Sequence, residues 1–179
     1  MRQTYTQTGQ SAQLNEKFDH ILAGKTLQER AERAQEIASK DVTFAPLMAM
    51  ASIKSEKIVG LPEGVPDTYM PETDVPDGVA DTTARQEFRR IRNFLPYGTM
   101  KNLKAHDREQ SWLNLLMGLH HKEAKILTMI KEQTLFVEYP ELRNVLIELK
   151  VPVDVEAPVA EKSTKKAKAV KEKKAPKPK

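Results

Sequence analysis

The sequence predicts an all-α protein: small helical bundles joined by a Pro-rich strap, followed by a disordered basic C-terminal tail. Three observations carry that prediction. Apolar residues recur at spacings of three and four along most of the chain, which is the helical period. Pro62, Pro66, Pro71 and Pro76 fall too close together for a helix or a central strand to persist between them. The stretch 161–179 holds nine Lys and no bulky apolar residue beyond Val170, so it cannot offset its ordering entropy.

Residues 1–10 read as a flexible polar lead. An N-terminal bundle is expected over 11–58. Its first helix spans about 12–23, with Leu14, Phe18, Ile21 and Leu22 in one stripe, Ser11 as N-cap and Gly24 as the stop. The second starts at Thr26, where Thr26-Leu27-Gln28-Glu29 matches a capping box that lets Glu29 reach back to the Thr26 backbone. Its stripe (Leu27, Ala31, Ala34, Ile37, Ala38) is thin, so it packs closely and buries little area. Phe44, Leu47, Met48 and Ala51 mark a third helix, in whose first turn Pro46 is tolerated.

The Pro-rich segment 59–80 is either an extended linker or an ordered strap docked through Leu61, Val65, Tyr69 and Met70. A C-terminal helical domain is expected over 81–151. It opens with a helix over 81–95, capped by Asp81 or Thr82, burying Phe88, Ile91, Phe94 and Leu95. Helices over 107–119 and 121–135 follow, either separate or one bent helix broken near Gly118-Leu119-His120-His121. The last runs over 140–150 from Pro140 at its first position. Residues 152–179 form the tail.

Charge sharpens the functional reading. The whole chain carries a formal +4, with 29 Lys+Arg against 25 Asp+Glu. The nine Lys and two Glu of 161–179 make +7, leaving 20 basic against 23 acidic residues, or −3, in 1–160. A basic-protein argument therefore rests on the tail: Lys162, Lys165, Lys166, Lys168, Lys171, Lys173, Lys174, Lys177 and Lys179. Mobile lysines neutralise phosphates without reading sequence, so the class of partner they suggest is non-specific DNA or RNA. A solubilising extension and a contact with an acidic protein or membrane surface are the alternatives. A second basic patch, Arg85, Arg89 and Arg92 with Arg90 beside them, follows helical spacing. Glu87 and Asp81 lie close enough to make it an internally paired face instead.

The chemistry classes narrow quickly. Without Cys there is no disulfide, thiolate metal site or cysteine nucleophile. Adjacent His120 and His121 point about 100° apart on a helix, unlike the i, i+4 pair of a metal helix. His106-Asp107 has the same weakness as a catalytic dyad. No phosphate-binding, dinucleotide or nucleophile-elbow motif occurs. A non-enzymatic protein without cofactor or metal is expected. Gln133-Thr134-Leu135-Phe136 faintly resembles peptides that dock on bacterial sliding clamps, but its apolar pair falls at the end of a buried stripe. Trp112, Met48, Met50, Met117 and Met129 read as core filler. The first ten residues lack the apolar centre of a secretory signal and no run approaches 18 apolar residues, so no membrane association is expected.

Leu61-Pro62-Glu63-Gly64, the Pro- and Asp-rich stretch after it, and above all the run from Asp107 through Trp112, Leu115-Leu116, Leu119-His120 and Glu123-Ala124 resemble a family of unknown function. That family is encoded by large contractile-tailed, often marine, bacteriophages. The resemblance covers about half the chain, from 61 to 149. The chain departs from the pattern at Met117 and Lys125, where the family carries acids, and at Lys131-Glu132-Gln133. The apolar positions are kept, so a helical scaffold is what the resemblance implies, and no functional residue is carried over. The resemblance implies a phage protein; with the basic tail, the expectation is a phage accessory protein in the host cytoplasm that associates, through that tail, with DNA or with the replication and transcription machinery on it. The alternative is a virion or assembly component packing on other phage or host proteins.

Overall fold

A computed structural model describes residues 12–154. Every regular element among them is helical: α1 (Leu14–Leu22), α2 (Leu27–Lys40), α3 (Phe44–Ser52), α4 (Phe88–Arg92), α5 (Ala105–Gly118), α6 (His121–Glu132), α7 (Leu135–Glu138) and α8 (Pro140–Glu148), with 3₁₀ turns at Lys54–Glu56 and Thr99–Asn102. The lead and residues 155–179 of the tail, with all nine tail lysines, lie outside the described residues.

Local chemistry sets the helix ends. The expected Ser11 cap lies outside the described residues; α1 starts from Gln13, whose N–H donates to Glu16 Oε2 at 2.9 Å. Thr26 caps α2 as expected, accepting from the Glu29 amide at 3.1 Å. Glu29, however, accepts from the Lys25 amide at 2.7 Å and not from Thr26, so the box closes one residue early. Asp41 Oδ1 accepts from the Thr43 amide and hydroxyl at 2.9 and 2.7 Å and turns the chain into α3.

The two predicted bundles are a single core. Helix α6 packs against α1, α3, α5 and α7, and α2 packs against α8. One apolar cluster runs from Leu14 through Phe44, Ile91, Trp112 and Leu127 to Leu146. The reason lies in α3, where Phe44, Leu47, Met48, Met50 and Ala51 are all buried. A helix apolar on most sides is not covered by two short neighbours, one of which offers only Ala31, Ala34 and Ile37. Each fully buried Leu, Ile or Phe contributes roughly 1.5–3 kcal/mol, and α6 supplies the missing cover.

Helix α4 is much shorter than the expected 81–95. The Thr82 amide donates to Gly118 O at 3.0 Å, in an isolated parallel bridge between Thr82 and Leu119. That holds residue 82 outside any helix. Thr83 and Gln86 form a reciprocal pair, Thr83 N to Gln86 Oε1 at 2.9 Å and Gln86 N to Thr83 Oγ1 at 3.3 Å, so the first turn begins only there. Phe94 then meets Trp112 edge to face, centroids 5.1 Å apart.

Helices α5 and α6 are separate. Leu119 is extended at φ −90°, ψ 152°, and His120 caps α6, its Nδ1 accepting from the Lys122 amide at 3.3 Å. Helix α6 stops short of the expected 135 because Gln133 adopts φ 58°. Its side-chain amide donates to Met50 O and Ile53 O, at 3.2 and 2.7 Å, tying the end of α6 to the end of α3.

Candidate functional site

The segment between the 3₁₀ turn at Lys54–Glu56 and α4 carries no helix or strand of its own, and it meets α6 at both ends. At the C-terminal end of α6, Lys131 Nζ donates to Pro62 O at 2.6 Å, and Glu132 Oε1 accepts both from Lys131 Nζ and from the Gly64 amide, the latter at 2.8 Å. At the N-terminal end, His120 Nε2 lies 3.2 Å from Val75 O, and Lys122 Nζ lies 2.8 Å from Asp77. Because His120 Nδ1 already accepts from the Lys122 amide, Nε2 carries the ring proton and donates to Val75. Chain direction in the segment thus runs opposite to α6. Twelve helical residues span about 18 Å, whereas the chain between the two attachments could extend to more than twice that. Residues 65–74 take up the slack as a loop. Leu61 and Tyr69 rest on the core, whereas Val65 and Met70, expected to dock with them, are exposed.

Under this loop lies a cleft of about 290 Å³, floored by Met117, Leu119, His120 and His121 and walled by Tyr69, Glu72, Val75 and Asp81. Burial raises the Tyr69 phenol above its ordinary value. Met117, expected in the core, is exposed here. It falls off the stripe Trp112, Leu115, Leu116, Leu119 and so faces outward from α5. The His120 and His121 rings lie 4.3 Å apart, but both His120 nitrogens are engaged by backbone groups, so the pair offers no shared metal position. Among the described residues no group of three or more His, Asp or Glu is placed to hold a metal ion. The cleft has a mixed polar and apolar lining.

A buried polar network lies beneath residues 81–87. Lys17 Nζ and Asp41 Oδ2 are 2.7 Å apart, both side chains 1% exposed. Arg85 Nε is 3.3 Å from Asp41 Oδ1. Asp41 titrates below its ordinary value: burial opposes the shift, but hydrogen bonds from Lys17 and Thr43 outweigh it. Glu123, 1% exposed, accepts from the Leu14 amide at 3.0 Å. Burial pushes its carboxyl up to about 7, against the pull of the Leu14 and Ala84 amides and of Lys17. The network joins α1, the α2–α3 turn, the entry to α4 and the start of α6.

Sequence reasoning passed over Lys17 and Glu123, although a signal was present. Lys17 falls between Leu14, Phe18 and Ile21 on the buried stripe of α1, and Glu123 shares the stripe of Ile126, Leu127 and Ile130. A charge at a stripe position marks a partner elsewhere in the fold.

The expected arginine patch divides. Arg85 precedes α4 and turns inward to Asp41, whereas Arg89 and Arg92 are exposed on α4. Arg90 pairs with Glu87 at 2.8 Å. The clamp-like Gln133-Thr134-Leu135-Phe136 is not available as a docking peptide, because Leu135 and Phe136 are buried in the core. Toward the tail, Val151 and Val153 rest on the core and the Asp154 amide donates to Ser52 O at 2.8 Å, so the chain is held to the body up to that point.

No helix among the described residues is long and apolar enough to cross a membrane. Comparison with protein-family models, with curated proteins and with solved structures returns no match to this chain.

Proposed function

We propose that the protein acts by binding and not by catalysis, as a phage accessory protein that associates with DNA, or with the replication and transcription machinery on DNA, through its Lys-rich C-terminal segment. The observation that carries this reading is the separation of charge: −3 over residues 1–160 against +7 over 161–179. The chain is held to the body as far as Asp154, eight residues before the first tail lysine, Lys162. The phage context rests on the sequence resemblance over 61–149.

The test is binding of 1–179 and 1–160 to a random-sequence DNA duplex across a salt series. A tail engaging about five phosphates gives a log–log salt slope of about −4 to −5. Equal affinity and slope for the two chains would end the reading. A second reading, a virion or assembly component, draws on Val65 and Met70, which the loop over the cleft holds out to solvent. Stoichiometric presence in purified virions, read by mass spectrometry, favours it; absence favours the intracellular role.

A further inference from the structure

We infer that the corner formed by α4, the Thr99–Asn102 turn and the start of α5 is a second phosphate-backbone surface, which sets how the helical body sits on duplex DNA. The inference rests on the reading that the protein binds DNA and adds where the body itself touches it.

Charge provides the first argument. Residues 85–108 hold seven Lys+Arg and two Asp+Glu, a net +5 inside a body whose total is −3. The rest of 1–160 therefore carries −8, so on balance it repels a polyanion, and the stretch 85–108 stands out against it as basic. Arg89, Arg90, Arg92, Lys101 and Lys104 are all exposed. Of these, Arg90 has a carboxylate partner in Glu87.

Geometry provides the second. The turn after α4 folds back on the helix it leaves: the Met100 amide donates to Asn93 O at 3.0 Å. Gly98 lies so close that a Cβ there would stand 2.2 Å from Asn93 O and 2.8 Å from Arg92 O. The 3₁₀ turn bearing Lys101 is thereby set against the end of α4 bearing Arg92. Leu103 N donates to Met100 O at 3.1 Å and Arg108 donates to Leu103 O at 3.0 Å, which holds Lys104 in the same corner.

The cations are also positioned. Arg92 stands over the Phe88 ring, its guanidinium carbon 5.9 Å from the centroid, and it also hydrogen-bonds the Tyr97 phenol, so its position is restricted. Tyr97, 56% exposed, is fixed by donation to Glu56 Oε2 at 2.5 Å. Restricted Arg92 beside an exposed aromatic ring, with Lys101 and Lys104 on anchored backbone, is suited to gripping a phosphate backbone. A Lys-rich segment on its own supplies affinity without orientation.

The experiment uses the full chain and a fluorescent random-sequence DNA duplex between about 50 and 200 mM salt. One variant carries Arg89→Gln, Lys101→Gln and Lys104→Gln. A control loses three exposed cations elsewhere, Lys25→Gln, Lys40→Gln and Lys125→Gln, for the same change in net charge. A third has every lysine of 161–179 replaced by Gln. Thermal unfolding checks that each is folded. The corner variant is expected to lower the salt slope by about 2–3, while the control keeps the wild-type slope. Equal behaviour of corner variant and control overturns the inference and leaves the tail reading standing. No effect of the tail substitutions, or no duplex binding by the wild type, overturns that reading and the inference with it.

Discussion

Lys17 and Asp41, 24 residues apart, meet at 2.7 Å with both side chains out of solvent. The pair locks α1 to the α2–α3 turn, and Asp41 also accepts from Thr43, the residue that leads into α3. Asp41→Asn leaves Lys17 a buried cation without its counter-charge, at a cost of about 3–5 kcal/mol. Adding Lys17→Met recovers part of that loss, which urea unfolding of the single and double variants measures. Asp41 titrates below its ordinary carboxylate value, so its contribution is full above that value. It is lost as pH falls through the lower folded value, and the pair is a component of acid unfolding.

Glu123 works in the opposite direction. Its folded pKa is raised from 4.5 to about 7, so the folded state holds the proton more tightly than the unfolded chain. The group's contribution is fully present below 4.5 and is lost as pH rises toward 7, by on the order of 3 kcal/mol. Glu123→Gln, which keeps an acceptor for the Leu14 amide, flattens stability between pH 5 and pH 8 and makes the protein more stable at pH 8. Denaturant midpoints at several pH values check this; an unchanged slope with pH counts against it.

His120 has two separable roles, capping α6 and holding the strap at Val75. Asn is a good N-cap but too short to reach the Val75 carbonyl. His120→Asn therefore keeps the melting temperature within a few degrees while amide exchange and proteolysis rise in 65–77. His120→Ala loses both functions and costs about 1 kcal/mol more. If His120→Asn leaves exchange in 65–77 at the wild-type rate, the Val75 contact is not what holds the strap.

Gly98 and Gly60 make different demands. At Gly98 the obstacle is rigid, because an added Cβ meets the Asn93 carbonyl carbon at 2.5 Å. Gly98→Ala costs about 1–3 kcal/mol as overpacking. It also shifts the turn bearing Lys101. At Gly60 the backbone has φ +75° and an added Cβ would collide with the movable Arg108 guanidinium. Gly60→Ala costs about 1–2 kcal/mol, mainly conformational. Thermal unfolding compares the two, and duplex binding reads both: Gly98→Ala shifts the turn bearing Lys101, whereas Gly60→Ala displaces the Arg108 guanidinium that donates to Leu103 O beside Lys104.

The amino-acid sequence by itself determined the helical class, the position of most helices and several of their ends. Thr26 and Pro140 act within one turn of their own position, and the apolar stripes of α1, α5, α6 and α8 repeat over a few residues, so local pattern suffices to place them. The same is true of the prolines that keep helix out of 59–80. Tertiary structure alone decided that the helices share one core, since α3 needs cover that the distant α6 supplies. It shortened α4, because the carbonyl that takes the Thr82 amide belongs to Gly118. It turned Arg85 inward to Asp41, and it set Lys101 and Lys104 beside the exposed arginines of α4. In each case the deciding partner lies far along the chain, and its position exists only once the core has formed.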